Sequence, residues 1–435
     1  MKFFQKTRWL TCLFLFTLIV TAYANTNSMP QYQALFTLPS NPNTSPALVL
    51  RYYQEWGDGS RTGWQTPVVL PTVSVGNRTL PIVLQFSYAS PFYTSGAIEL
   101  GYDQYAQYYT VFSISGHPSE NLLIQGPFQQ AAYMSATLYS NVMGTQPAIV
   151  DKQMTTLDNA SNPYIEGNPS VFAYSPTLLQ SHTLKPAYSL PLSPPPIHRP
   201  RLAARKTPAD GTGEIYVYRL DQTSSHENVV EDITPDGCSQ AYLYAEKESY
   251  QDVIIFRIKV PTTFIESDHP DMTFGHYQTR YFSVSAHRNS DSQDRYLTYW
   301  TVNTRMLRDY MDDQGYAYVF FASNDYTNNL AIEQHTPDTQ PPVMTWGRYK
   351  GYVLGNPDFA IIMRYRDPDP AWQGSPVNAT CYATPEDEQP VTKEQLGDYL
   401  PEIYGDTMEN FQNGHIGAVN KDALWPVDLA KTHGK

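Results

Sequence analysis

One strand pattern occurs twice in this chain, and that repetition limits the fold more than any other feature. Tyr133–Tyr139 reads YMSATLY, and Tyr281–His287 reads YFSVSAH 148 residues later. In both, alternate positions run Tyr, Ser, Thr or Ser, then Tyr or His, while the others run Met or Phe, Ala or Val, Leu or Ala. Successive side chains of a strand point to opposite faces, so this is the period of a half-buried strand. Four more blocks, one before this pair and three after it, recur in the same order. Val111-Phe112-x-Ile114 matches Ile255-Phe256-x-Ile258 at an offset of 144, and Val150-Asp151-x-x-Met154 matches Val302-Asn303-x-x-Met306 at 152. Gly167-x-x-x-Val171-Phe172 matches Gly315-x-x-x-Val319-Phe320 at 148, and Ile215–Arg219 matches Ile361–Arg364 with the arginines 145 apart. Any one block is weak; five in order predict an internal duplication.

Composition sets the class of each copy. Tyr contributes 34 residues and Pro 35. Tyr suits a pleated surface with one wet edge, Pro suits the loops between strands, and helical periodicity is sparse. The expected fold is all-β: two tandem jelly-roll-like β-sandwich modules, with a short C-terminal helix and tail. Gly76-Asn77 marks a turn between strands, and Thr392-Lys393-Glu394-Gln395 is a capping box opening a short helix before Pro401.

Residues 1–24 read as a cleaved export signal. Lys2, Lys6 and Arg8 precede the apolar run Trp9–Val20, and Ala22-Tyr23-Ala24 gives the small-x-small cleavage pattern. The mature chain is therefore expected in the periplasm or outside the cell, with no further membrane span. Losing three basic and no acidic residues takes the net charge from −13 to −16, which argues against nucleic acid and anionic membranes as partners. The expected organisation is a first module over 25–225, a second over 226–375, and a helix and tail over 376–435. The Pro-rich, basic segment 186–208 has the look of an interdomain linker, but the repeat places it inside the first module, before that module's last strand.

Residues 275–370 carry a second signal. Tyr281-Phe282-Ser283-Val284, Asp313-Gln314-Gly315, Thr345-Trp346 and Phe359-x-x-x-x-Arg364-Tyr365 with Pro368 following resemble the C-terminal β-sandwich module of a bacterial family of exported proteins known only as a domain of unknown function. That family usually has Asp-Gly at the second motif and Asn-Trp at the third, where this chain departs. The resemblance implies a jelly-roll-like sandwich and transfers no catalytic residue.

Candidate site residues come from four places. Tyr281, Ser283, Ser285 and His287 share one strand face; as a cavity wall it suits a small polar or sugar-like ligand, and its plainer reading is the solvent face of an antiparallel sheet. His276, Arg364 and Trp346 could join it. Arg219 and Arg364 sit inside apolar strands, where a buried arginine needs a partner; Asp151 is a candidate for the first and Asp309 or Asp312 for the second, an exposed position being the simpler reading. Glu266, Asp268, His269 and Asp271 form an acidic loop that could take Ca²⁺ or Zn²⁺, against the plainer reading of a solvated turn. Tyr52, Tyr53, Trp56 and Trp64 could form an aromatic platform for sugar rings or pack on their own core. No cofactor beyond that metal ion is expected, and no GxSxG, HExxH or Walker loop occurs.

These features suggest a non-catalytic exported binding or surface-interaction protein, for a carbohydrate or a surface protein. The alternatives are an exported hydrolase with its site in the second module and a structural envelope protein. In an oxidising compartment Cys238 and Cys381 are expected to pair, two free thiols being the alternative. Thiol counting on the denatured mature protein should then find none without reductant and two with it; two free thiols at the outset would sink the pairing.

Overall fold

The structure is a computed structural model that describes residues 29–38, 46–53, 69–86, 103, 106–111, 114, 120–139, 148–157, 159–171, 216–217, 233–234, 237–246, 251–263, 273–290, 295–322, 332–333, 341–355, 360–377, 391–416 and 419–420. Residues 1–24, expected to be an export signal, the Pro-rich segment 186–208, Arg219, the acidic loop, Trp56, Trp64 and Cys381 lie outside them, as do the side chains of His287 and Cys238.

The N-terminal strands are β1 (Gln31–Thr37), β2 (Ala47–Tyr53), β3 (Thr72–Val75), β4 (Arg78–Leu80), β5 (Val83–Phe86), β6 (Ala106–Val111), β7 (Asn121–Pro127), β8 (Tyr133–Tyr139), β9 (Ala148–Val150) and β10 (Thr155–Thr156). They form sheet I, ordered β10-β1-β7-β3-β4, and sheet II, ordered β5-β6-β2-β8-β9. The C-terminal strands are β11 (Tyr216–Val217), β12 (Ile233–Thr234), β13 (Gly237–Cys238), β14 (Gln240–Glu246), β15 (Val253–Lys259), β16 (Tyr281–Ser290), β17 (Arg295–Asn303), β18 (Tyr316–Ala322), β19 (Ile332–Glu333), β20 (Val343–Trp346), β21 (Tyr349–Gly355), β22 (Ala360–Arg366), β23 (Glu402–Asp406), β24 (His415–Ile416) and β25 (Val419–Asn420). Sheet III runs β11-β14-β22-β16-β17 and sheet IV β19-β20-β21-β18-β15-β23, with β12-β13 and β24-β25 as separate hairpins. The described helices are short: α1 (Thr304–Arg308), α2 (Lys393–Leu396) and α3 (Met408–Gln412). Among the described residues no helix is long and apolar enough to cross a membrane.

The expected all-β sandwich architecture is present, and side-chain parity explains the layers. In β1, Tyr32, Ala34 and Phe36 are buried while the residues between them are not; they meet Leu48, Leu50, Tyr52, Met134 and Ala136 from sheet II in one core. This is the alternation of a sheet with one wet face. By contrast, β15 (VIIFRIK) is buried along almost its whole length. Its Ile254, Phe256 and Ile258 face sheet III, while Val253 and Ile255 join Trp346, Met408 and Phe411 on the outer side. A continuous apolar run is the signature of a strand covered on both faces. Each fully buried large aliphatic or aromatic side chain contributes about 2 kcal/mol by removal from water.

Local chemistry fixes the turns. Gly76 (φ 55°) and Gly347 (φ 61°) occupy the first central position of the β3–β4 and β20–β21 hairpins, where a positive φ matches the twist of the strands. Gln395 accepts from the Thr392 backbone N–H at 2.8 Å, so the expected capping box opens α2.

Three features depart from the sequence expectation. The β pattern does not stop after Pro370, because β23 adds to the edge of sheet IV beside β15. Tyr216–Val217, expected to close the first module, pairs with β14 in sheet III. The repeated strands β8 and β16 each lead through a hairpin into a short helical turn, yet β8 lies beside the earlier strand β2 and β16 beside the later strand β22. The local blocks therefore correspond while their sheet contexts differ, and the duplication remains an inference from sequence.

The tightest backbone approach lies in sheet IV, where Gly351 pairs with Tyr318 in the parallel β18–β21 ladder. A Cβ there would overlap the Tyr318 carbonyl oxygen, which is ladder backbone and has little freedom to move. Gly351→Ala should cost about 2 kcal/mol or more of unfolding free energy, measured by denaturant titration; a variant as stable as the parent would refute this packing.

A buried polar seam as candidate functional site

Sheet II has two faces, and the second meets sheet III instead of water. Across the β2–β8, β2–β6 and β8–β9 registers, Arg51, Tyr53, Tyr108, Tyr133, Ser135, Thr137 and Val150 share the face turned away from the first core. Across the β16–β22 and β14–β22 registers, Tyr281, Ser283, Ser285, Arg364, Arg366, Gln240 and Tyr242 share a face of sheet III. The rings of Tyr53 and Tyr281 lie 5.0 Å apart, so the two faces are in contact.

Hydrogen bonds organise this contact. Tyr281 donates to Asp103 Oδ2 at 2.8 Å and Ser283 donates to the same oxygen at 2.5 Å, although Asp103 belongs to the segment before β6. Arg364 donates to Ser285 Oγ, and Arg51 donates to Thr137 Oγ1 at 2.7 Å. Arg366 Nη2 donates to the Tyr53 hydroxyl at 2.7 Å and to Tyr242 at 2.8 Å, with its guanidinium 4.7 and 4.6 Å from their ring centroids. Tyr53 and Tyr108 share a hydroxyl–hydroxyl bond of 2.8 Å. Burial, and then the Asp103 charge, hold the Tyr281 phenol well above its ordinary range; burial does the same for Tyr108.

A second cluster flanks the first. Arg280, just before β16, donates to Asp151 Oδ2 at 3.2 Å and to the Ala132 carbonyl at 3.2 Å. Asp151 also accepts from the backbone N–H of Met134 and Lys152, at 2.8 and 2.7 Å. The Arg280 guanidinium lies over the rings of Tyr164 and Phe274, 4.7 and 4.4 Å away. Phe274 itself is part of the core between sheets I and II, and its backbone bonds Gly167 and Asn168 at 2.8 Å each. At the rim, Lys152 pairs with Asp367 at 2.8 Å.

The structure thus brings together Tyr281, Ser283, Ser285 and Arg364, and it does so inside the protein. Neither the solvent-face reading of the strand nor an exposed Arg364 holds, since all four are buried. Asp312 accepts from the backbone of Gln314 and Tyr316 and so serves its own turn, while Asp151 pairs with Arg280. His276 stands apart: it is 67% exposed, between Glu166 at 3.7 Å and Asp369 at 3.0 Å. Trp346 is elsewhere again, stacked on Phe411 at 5.0 Å and donating to its carbonyl at 3.0 Å. Tyr52 and Tyr53 are buried and form no platform. Glu266, Asp268, His269 and Asp271 fall outside the described residues, among which no cluster of three or more His, Cys, Asp or Glu could hold a metal. Sequence reasoning missed Asp103, Arg280 and Arg366; the last was detectable as a second arginine two residues after Arg364, on the same strand face.

No family model, curated protein or solved structure matches this chain.

Asp151 gives the seam a pH signature. Burial pushes its carboxyl up to about 6, outweighing the opposing pull of Arg280. The folded chain therefore holds this proton to higher pH than the unfolded chain. The resulting stability is full below the ordinary carboxylate range and is lost as pH rises through about 6. Asp151 should account for a fall of about 3 kcal/mol in unfolding free energy between roughly pH 4 and 7. Subtracting the Asp151→Asn curve from the parent curve isolates that fall; parallel curves would contradict it.

Proposed function

We propose that the protein is an exported, non-catalytic binding protein that uses its two joined sandwiches as one rigid support and takes neutral carbohydrate on the outer face of sheet I. The observation that carries this reading is the composition of that face. The outward residues are Gln31, Gln33, Leu35 and Thr37 of β1, Thr72 and Ser74 of β3, Thr79 of β4, Asn121, Leu123, Gln125 and Pro127 of β7, and Thr155 of β10, while Arg78 of β4 stands opposite the inward Val75. None of the outward residues is charged, in a chain of net charge −13. Leu35 is 54% exposed at its middle. Amides and hydroxyls on a flat sheet donate to and accept from sugar hydroxyls, while Leu35 offers an apolar patch for a ring face.

The sequence readings of residues 1–24 as an export signal and of residues 275–370 as resembling an exported family support the same proposal, since both point to a protein that works outside the cytoplasm. The seam supports rigidity, because Tyr281 and Ser283 bond Asp103 and Arg280 bonds Asp151 across it.

Affinity electrophoresis of the mature protein against neutral polysaccharides tests the reading. Retardation by at least one of them is expected, and the double variant Gln33→Ala, Leu35→Asp should weaken it about tenfold, or about 1.4 kcal/mol, while leaving the unfolding midpoint unchanged. A parent protein retarded by none of them would end the proposal.

A further inference from the structure

The strand registers set the outer face of sheet I in rows that run across the strands. One row is Leu35, Leu123, Ser74 and Thr79, on β1, β7, β3 and β4 in turn. Beside it runs Thr155, Gln33, Gln125 and Thr72, from β10, β1, β7 and β3. On its other side stand Thr37 and Asn121. No member of the three rows is buried. The apolar pair Leu35 and Leu123 therefore lies between two glutamines and a threonine–asparagine pair.

Neighbouring strands lie about 4.8 Å apart, and alternate residues of one strand about 6.8 Å apart. The leucines thus form a narrow apolar stripe with hydrogen-bonding side chains close on either side. A pyranose whose hydroxyls are all equatorial has the same pattern, with C–H bonds on its faces and hydroxyls around its rim. Laid on Leu35 and Leu123, such a ring turns one edge to the amides of Gln33 and Gln125 and the other to Thr37 and Asn121. An axial hydroxyl would put an oxygen on a ring face, and pressing that oxygen onto the apolar stripe would cost its hydration.

Given the carbohydrate reading of this face, we infer that its ligand is the interior of a linear, cellulose-type glucan chain lying across the strands along the Leu35–Thr79 row. In such a chain the rings are joined through equatorial bonds, so it stays an extended ribbon with hydroxyls along both edges. Each ring advances the chain by close to one strand spacing, which carries the next rings over Ser74 and Thr79. A chain laid along one strand would instead pass over polar and apolar positions in turn. Successive strands turn by about 20° around the axis that a row follows. The flanking rows wind away with that turn, which limits the match to about three sugar units.

Two measurements on the mature protein test this. In calorimetric titrations, affinity should rise about tenfold from cellobiose to cellotetraose and change little with cellohexaose. In affinity gels, hydroxyethylcellulose should retard the protein while dextran and α-mannan do not. Ser74→Arg places a long charged side chain in the path of the row and should weaken cellohexaose binding about tenfold, with the unfolding midpoint unchanged. A Ser74→Arg variant that binds cellohexaose as tightly as the parent overturns the direction of the chain. Affinity already complete with cellobiose, or retardation by dextran or α-mannan as strong as by hydroxyethylcellulose, overturns the ligand class. Each of these failures leaves the carbohydrate reading standing, as does retardation by some other neutral polysaccharide alone; retardation by none ends both.

Discussion

The fold depends on burying charge between two sheets and satisfying it there. Asp103 comes from the N-terminal half of the chain, and its donors Tyr281 and Ser283 come from the other half. Arg280 and Asp151 are likewise drawn from opposite halves. A carboxylate or guanidinium taken out of water without its partner costs several kcal/mol, far more than a solvent-exposed ion pair returns. Neither half can therefore present its seam face in this state alone. The two sandwiches form one structure through mutual desolvation, and no covalent link is needed to explain their association.

The apolar packing points the same way. Phe274 belongs by sequence to the second half but is buried with Tyr164 and Phe128 in the core between sheets I and II. A single apolar cluster runs from Tyr53, Tyr133 and Val150 in sheet II, through Phe282 and Val284 in sheet III, to Phe256 and Phe321 in sheet IV. Interiors packed this densely transmit a displacement instead of absorbing it. Loosening the seam would therefore open the Phe274 site in the first core together with the polar contacts.

Parts of this were legible in the sequence, for identifiable reasons. Alternation in Tyr133–Tyr139 and Tyr281–His287 marked real strands, Gly76-Asn77 marked a real hairpin and Thr392–Gln395 a real helix start, because each is decided within a few residues. The destination of the polar face was not legible. Tyr, Ser and Ser at alternate positions read the same whether they meet water or a second sheet, and the deciding partner, Asp103, lies 178 residues from Tyr281. The membership of β11 and β23 was hidden for the same reason: a two-residue and a five-residue strand carry too little pattern to name the edge they join. Residues whose identity is set by a distant partner leave no periodic trace.

A polar seam also answers a difficulty that an apolar one would leave. Hydrophobic contact is non-directional, so two sheet faces covered with aliphatic side chains fix their docking only through the fit of interlocking side chains. Hydrogen bonds to a single carboxylate add a direction of their own. Moving sheet III by one residue pair along β16 would carry Tyr281 and Ser283 away from Asp103 and place Ser283 and Ser285 there; the phenol would lose its acceptor. Rotation would strip Arg280 from Asp151 while its guanidinium remained buried. Each wrong docking leaves at least one charge unpaired in a dry interface, so the contacts that cost most to bury are also those that admit one register.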